Sequence, residues 1–214
     1  MAASVPLARR LILASASQGR RQLLQQAGYT FTVEPAYLDE PTQARRGDCQ
    51  HYVAELAWLK AQAVAPRHQH AYVLAADTVG WLDGQVIGKP VDAADARRIL
   101  RLLAGRTHEL WTGVCLWLRP EDWQICWQER SLVYLKPMTE ADIDTYLQSR
   151  LWQGCSGAYA LQLPDDPHLT VVQGSASNVI GLPMESLQAV LHRLQMIEQT
   201  PLGSERPPTG PSGT

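Results

Sequence analysis

Tyr72-Val73-Leu74-Ala75-Ala76-Asp77-Thr78 opens as an apolar run and ends on a carboxylate and a hydroxyl. The run is too short for an amphipathic helix, so residues 72–76 read as a buried strand. Segments of helical period lie on both sides of it. That alternation of strand and helix predicts an α/β domain with a mixed sheet. In open α/β sheets ligands bind at the carboxyl ends of strands, which is where Asp77 stands.

Working outward toward the N-terminus, 50–65 carries Val53, Leu56, Ala57, Lys60, Ala61 and Val64 on one helical stripe, and Pro66 stops it. Residues 31–34 and 11–14 read as further short strands. Between them a helix over 20–27 is closed by Gly28. Beyond Asp77, strands 79–82 and 85–87 flank Asp83-Gly84, a pair that favours a type I′ hairpin turn. Asp92 caps a helix running to about 103, with Gly105 after it. Two long strands, 108–118 and 123–135, enclose the turn Arg119-Pro120-Glu121-Asp122. Trp111, Trp117, Trp123 and Trp127 fall on them and predict cross-strand packing. Thr139-Glu140-Ala141-Asp142 resembles a capping box opening a helix to about 148. Strands 169–172 and 178–180 and a helix over 183–196 complete the pattern.

The chain has 214 residues, enough for one domain; 10–198 is expected to form it, between a flexible N-terminus at 1–9 and a Pro/Gly/Ser-rich tail at 199–214. A net charge of -2 argues against a nucleic-acid partner. No apolar run approaches the ~18–20 residues of a membrane span. Cys49, Cys115, Cys126 and Cys155 form no C-x-x-C pair, so they read as thiols rather than a zinc site. A cytoplasmic protein is expected.

Three polar features interrupt the apolar pattern. The first is the loop Ser15-Ala16-Ser17-Gln18-Gly19-Arg20, where small residues, helix-terminal amides and an arginine suit an anion. A serine N-cap beside solvated arginines is the competing reading. The second is Asp77, which can bind a divalent cation or take a proton from water, or simply cap a turn together with Thr78. The third is a lysine pair. Lys60 sits on the apolar stripe of its helix, where it either snorkels or points into a polar cleft. Lys89 follows the hairpin in Gly88-Lys89-Pro90. Thr107-His108 reads as a hydrogen-bonding pair at a strand start rather than a catalytic dyad.

Eight collinear stretches together resemble the Maf family: LILASAS with RRQLL (11–24), Asp39-Glu40, VAELAWLKAQAVA (53–65), AADTV (75–79), the block at 83–100, LAGRTHELWTGV (103–114), GAYALQ (157–162) and GSASNVIGLPMESL (174–187). The resemblance implies an elongated mixed-sheet α/β fold of the Maf/inosine triphosphatase type, with two lobes around a central cleft. It implies hydrolysis of a nucleoside triphosphate to the monophosphate and pyrophosphate with Mg²⁺ or Mn²⁺, and a homodimer. By the same resemblance Asp77 is proton acceptor and metal-site acid, Glu40 a second metal-site acid, and Arg20, Lys60 and Lys89 phosphate contacts. Ser15, Ser17, Gly19, Thr78 and Gln162 fall in the substrate-binding stretches. Thr78 and Gln162 match the branch acting on dTTP and UTP. Gly19 and Gly154-Cys155-Ser156 depart from it, and Trp152-x-x-Cys155-x-Gly157 is closer to the 7-methyl-GTP branch. The expectation is a dTTP/UTP-like or modified nucleotide, with 7-methyl-GTP hydrolysis or a nucleotide-binding cell-division regulator as alternatives.

Overall fold

The fold was obtained as a computed structural model and is described for residues 7–38, 49–161 and 165–199. Glu40, Gln162 and the two expected termini lie wholly or largely outside those residues. Strands β1 (Arg10–Leu13), β2 (Phe31–Val33), β3 (Ala71–Leu82), β4 (Gln85–Ile87), β5 (Arg106–Arg119), β6 (Trp123–Leu135) and β7 (Leu169–Gln173) form one mixed sheet. Its order is β2-β1-β3-β5-β6-β7, with β4 also on β3. Helices α1 (Gln18–Gln26), α2 (Cys49–Val64), α3 (Ala93–Leu103), α4 (Glu140–Gln148), α5 (Ala176–Ile180) and α6 (Met184–Gln199) cover it.

The central strand β3 departs from the sequence reading. Two strands were expected on either side of Asp77 and Thr78, but one strand runs through twelve residues. Polar side chains do not break a strand when neighbouring elements satisfy them, and both are satisfied here, as shown below. The turn after β3 is as expected: Asp83 and Gly84 both have positive φ, 50° and 80°, the geometry of a type I′ hairpin. The Thr139 capping box forms in full, with Asp142 as the returning acid.

The expected strand at 178–180 is instead the end of α5. Val179 and Ile180 favour a strand by type, but Ser175 caps the segment by accepting from the Asn178 N–H, and Gly181 at φ 120° ends it. Helix α1 also starts earlier than expected, because Ser17 caps it. The tryptophans are less uniform than cross-strand packing predicts. Trp117 stacks against Trp58 of α2 at 5.9 Å between ring centroids, and Trp127 donates to Ser186 of α6. Trp123 is largely exposed.

Side chains alternate across β3 and sort the core into distinct parts. Tyr72, Leu74 and Ala76 pack with Leu11, Leu24, Leu187 and Leu191 on the α1/α6 face. Val73 and Ala75 pack with Ala57, Ala61 and Val64 of α2 on the other. Past Leu82 the sheet turns its packing to Leu100 and Leu103 of α3, Ile143 of α4 and Trp152. Fully burying one of these Leu, Val or Ile side chains contributes roughly 1.5–3 kcal/mol relative to exposure.

Candidate active site

β1 and β4 share the same edge of β3 without meeting. β1 pairs as far as Leu74, and β4 begins at Gly80. On its other edge β3 pairs continuously with β5 from Ala71 to Trp81. Residues 75–79 therefore have no strand along one edge among the described residues, and Asp77 is at the middle of that opening. This is the gap between the two halves of the fold, where the chain leaves β1 on one side and β4 on the other.

Asp77 lies on the α2 face of the strand and is only 5% exposed. Lys60 reaches it from α2, and its Nζ is ion-paired with Asp77 Oδ1. The lysine is buried too, at 8% exposure, which resolves the choice between snorkelling and entering a polar site. Its helix comes this close because Gly113, opposite Asp77 on β5, has no side chain. A Cβ there would stand 2.2 Å from the Val53 carbonyl oxygen.

Thr78 points to the opposite face, where the first turn of α1 supplies Arg20. This arginine is buried, not solvated. Its Nε donates to the Gly181 carbonyl at 2.7 Å, one terminal nitrogen to Ser15 Oγ at 3.1 Å and the other to Thr78 Oγ1 at 3.0 Å. The polarity of the next bonds follows from hydroxyl chemistry. Thr112 Oγ1 donates its single proton to the Asn178 carbonyl, so Thr78 Oγ1 donates to Thr112 across 2.9 Å. Arg20, Thr78, Thr112 and Asn178 thus form one directed chain, and the Thr78 hydroxyl serves to hold Arg20. Each of these three acceptors is a neutral oxygen that orients the guanidinium.

Ser15 and Ser17 shape the loop: Ser15 Oγ accepts from the Ser17 N–H, and Ser17 caps α1. Gly19 contributes space rather than a contact. A Cβ on it would lie 2.8 Å from Ile180 Cγ2, so α5 occupies the volume a side chain at 19 would need.

The other wall follows β4. Gly88 accepts from the Gly157 N–H at 3.1 Å, and Ser156 Oγ donates to the Thr78 carbonyl at 2.6 Å. Exposed Lys89 stands beside this segment. Burial raises the Cys155 thiol, and the charge on Lys89 offsets part of that rise. The Ser156, Thr112 and Asn178 contributions were not anticipated. Ser156 carried a partial signal in its small-residue surroundings; the carbonyls of Gly181 and Asn178 carried none, being backbone atoms.

Arg20 and Asp77 approach from opposite faces of one strand, so a single ligand meets both only along the open edge. Lys89, exposed, follows β4 on the far side of that opening. A cleft with a buried acid–lysine pair on its floor and cations on both walls defines an α/β protein suited to a phosphate-bearing ligand.

Comparison with known proteins sharpens that class. Residues 10–194 match the family model described as "Maf-like protein". A "dTTP/UTP pyrophosphatase" of Rhodopirellula baltica is 40% identical over 190 residues, covering 86% of this chain and 82% of that protein. One of Myxococcus xanthus with the same name is 41% identical over 183 residues, covering 86% and 91%. Among solved structures, the Staphylococcus aureus Ham1 protein aligns with a TM-score of 0.49 at 17% identity, over 87% of this chain and 100% of that one. The chain belongs to the Maf family.

Proposed function

We propose that this chain is a nucleoside triphosphate pyrophosphatase, cleaving between the α and β phosphates to give a monophosphate and pyrophosphate. The observation that carries it is the buried Lys60–Asp77 pair in the open stretch of β3, with Arg20 held on the other face of that strand. The names of the similar proteins favour dTTP and UTP over 7-methyl-GTP as substrates.

In this reading Lys60 on Oδ1 fixes the plane of the Asp77 carboxylate, and Oδ2 accepts the proton of the water attacking the α-phosphorus. Arg20 and Lys89 stabilise the charge gathering on the departing pyrophosphate, usually a large term in phosphoryl transfer. An ordinary aspartate, with a pKa near 3.9, is a weak base for water. The family implies a divalent cation, which would supply acidification of that water and charge neutralisation on the phosphates. The residues fit one. Mg²⁺ is commonly held by one or two carboxylates plus substrate phosphates, and Asp77, with Glu40 by resemblance, supplies such a set. Asp77 is a buried carboxylate at the opening of β3, and Glu40 lies outside the described residues.

The test is pyrophosphate release from a panel of triphosphates, including dTTP, UTP and 7-methyl-GTP, with Mn²⁺. Turnover is expected on the pyrimidine members and is lost on chelation. Asp77→Asn is expected to lower it about 100-fold or more, the usual size of a general-base contribution. No pyrophosphate from any member, with triphosphate still bound in calorimetry, would instead indicate a nucleotide-binding regulator.

A further inference from the structure

Cys115 and Cys126 stand directly opposite each other where β5 pairs with β6. Opposed residues of an antiparallel pair have Cα atoms about 4.5 or about 5.5 Å apart, depending on whether they exchange backbone hydrogen bonds. Either spacing lies inside the ~4.4–6.8 Å window in which a disulfide closes without backbone movement. Opposed side chains also share a face of the sheet, so the two thiols lie on the same side of the β5–β6 ladder.

Their surroundings differ in a useful way. Cys115 is buried beneath α2 among Ala61, Val73, Ala75 and Trp117, whereas Cys126 is exposed. Interaction with the Cys126 thiol, and then burial, push the Cys115 thiol up; the same interaction draws the Cys126 thiol down. An accessible sulfur of enhanced thiolate character beside a shielded partner is the arrangement of an attacking and a resolving cysteine. The proposed hydrolysis uses neither.

We propose that Cys115 and Cys126 are a reversible dithiol–disulfide couple, a modification site across the β5–β6 ladder that reacts with small-molecule disulfides. The Cys126 thiolate attacks one sulfur of the small disulfide, whose S–S bond breaks and releases one thiolate. The Cys115 thiol then gives up its proton, attacks Cys126 Sγ and expels the second small thiol. Two protein thiols are oxidised by two electrons, the small disulfide is reduced to two thiols, and the two protein protons end on those products.

The full-length protein with its four thiols reduced is incubated with excess oxidised glutathione, alkylated with N-ethylmaleimide and digested with trypsin without reductant. Arg119 precedes Pro120, so residues 107–130 stay in one peptide holding both cysteines. That peptide is expected to be lighter by two hydrogens and to carry no maleimide, with dithiothreitol restoring both labels. Cys115→Ala, which removes the resolving sulfur, is expected to leave Cys126 as a stable mixed disulfide with glutathione. The proposal is overturned if the unsubstituted protein keeps both thiols alkylatable, or if it accumulates glutathione on Cys126 with Cys115 still free.

Discussion

At the scale of single residues, the Lys60–Asp77 pair sets both stability and chemistry. Two charges removed from water stabilise a fold only modestly, but deleting one leaves the other buried and uncompensated. Lys60→Met is therefore expected to destabilise by about 3 kcal/mol, read by urea unfolding. In a Lys60→Met, Asp77→Asn double variant much of that loss should return, because Asp77 no longer carries a buried charge that has lost Lys60. Additive losses would mean the two side chains do not act on each other. His108 offers a separate handle through pH. It is buried against the Tyr159 hydroxyl at 2.7 Å, and burial lowers its pKa from 6.5 to about 4. Between those values the unfolded chain carries a proton that the folded chain lacks, so stability rises with pH there. The contribution is complete above about pH 6.5 and falls by about 3 kcal/mol as pH drops toward about 4. His108→Asn should flatten that part of the stability curve; an unchanged slope would remove His108 as its source.

At the scale of elements, Gly113 decides where α2 can sit. Alanine is the better strand residue by about 0.5–1 kcal/mol, so local preference alone would favour Gly113→Ala. Its Cβ, however, would meet the Val53 carbonyl at 2.2 Å and the Ala54 nitrogen at 2.7 Å, backbone atoms that cannot swing aside. The helix must lift, at a cost of about 3 kcal/mol, taking Lys60 with it. A lowered Tm together with lost pyrophosphate release in the protein that remains folded is the expected pair of results; normal turnover would mean α2 yields without moving Lys60. Gly113 also shows what the sequence left hidden. The stripe that includes Lys60 was readable on α2, as were the Asp83-Gly84 turn and the Thr139 cap, because each depends on neighbours a few residues away. The continuity of β3 through Asp77 was not readable, since it rests on Lys60 and Arg20 arriving from distant segments. Nor was α5, where Ser175 and Gly181 override the strand preference of Val179 and Ile180. Lys60, Asp77, Arg20 and Lys89 could be chosen as candidates; the placement of Arg20 and Asp77 on opposite faces of one strand required the fold.

At the scale of the whole molecule, the two walls of the cleft belong to different cores. Arg20 is carried by α1, packed through Leu24 with Leu11, Leu74 and Leu187. Lys89 follows Ile87, which packs with Leu100, Leu103 and Tyr159. A triphosphate that contacts both walls ties the two halves together, and it stabilises the fold by mass action. At a concentration of 100 Kd the gain is about 2.7 kcal/mol, which for a chain of this size raises Tm by about 5–10 °C. The measurement uses a dTTP analogue with a non-hydrolysable α–β bridge and Mn²⁺, so that turnover does not deplete it. Lys89 is exposed, so Lys89→Gln should leave the ligand-free Tm nearly unchanged while reducing the ligand-induced rise. Arg20→Gln should lower the ligand-free Tm, since three buried acceptors lose their donor, and reduce the rise as well. The comparison that matters is between the two rises, not the two starting temperatures. A ligand bridging the gap loses stabilisation in both variants. If the Lys89→Gln protein keeps the full rise, the nucleotide rests on the Arg20 wall alone, and the open edge of β3 is a binding surface rather than a closing cleft.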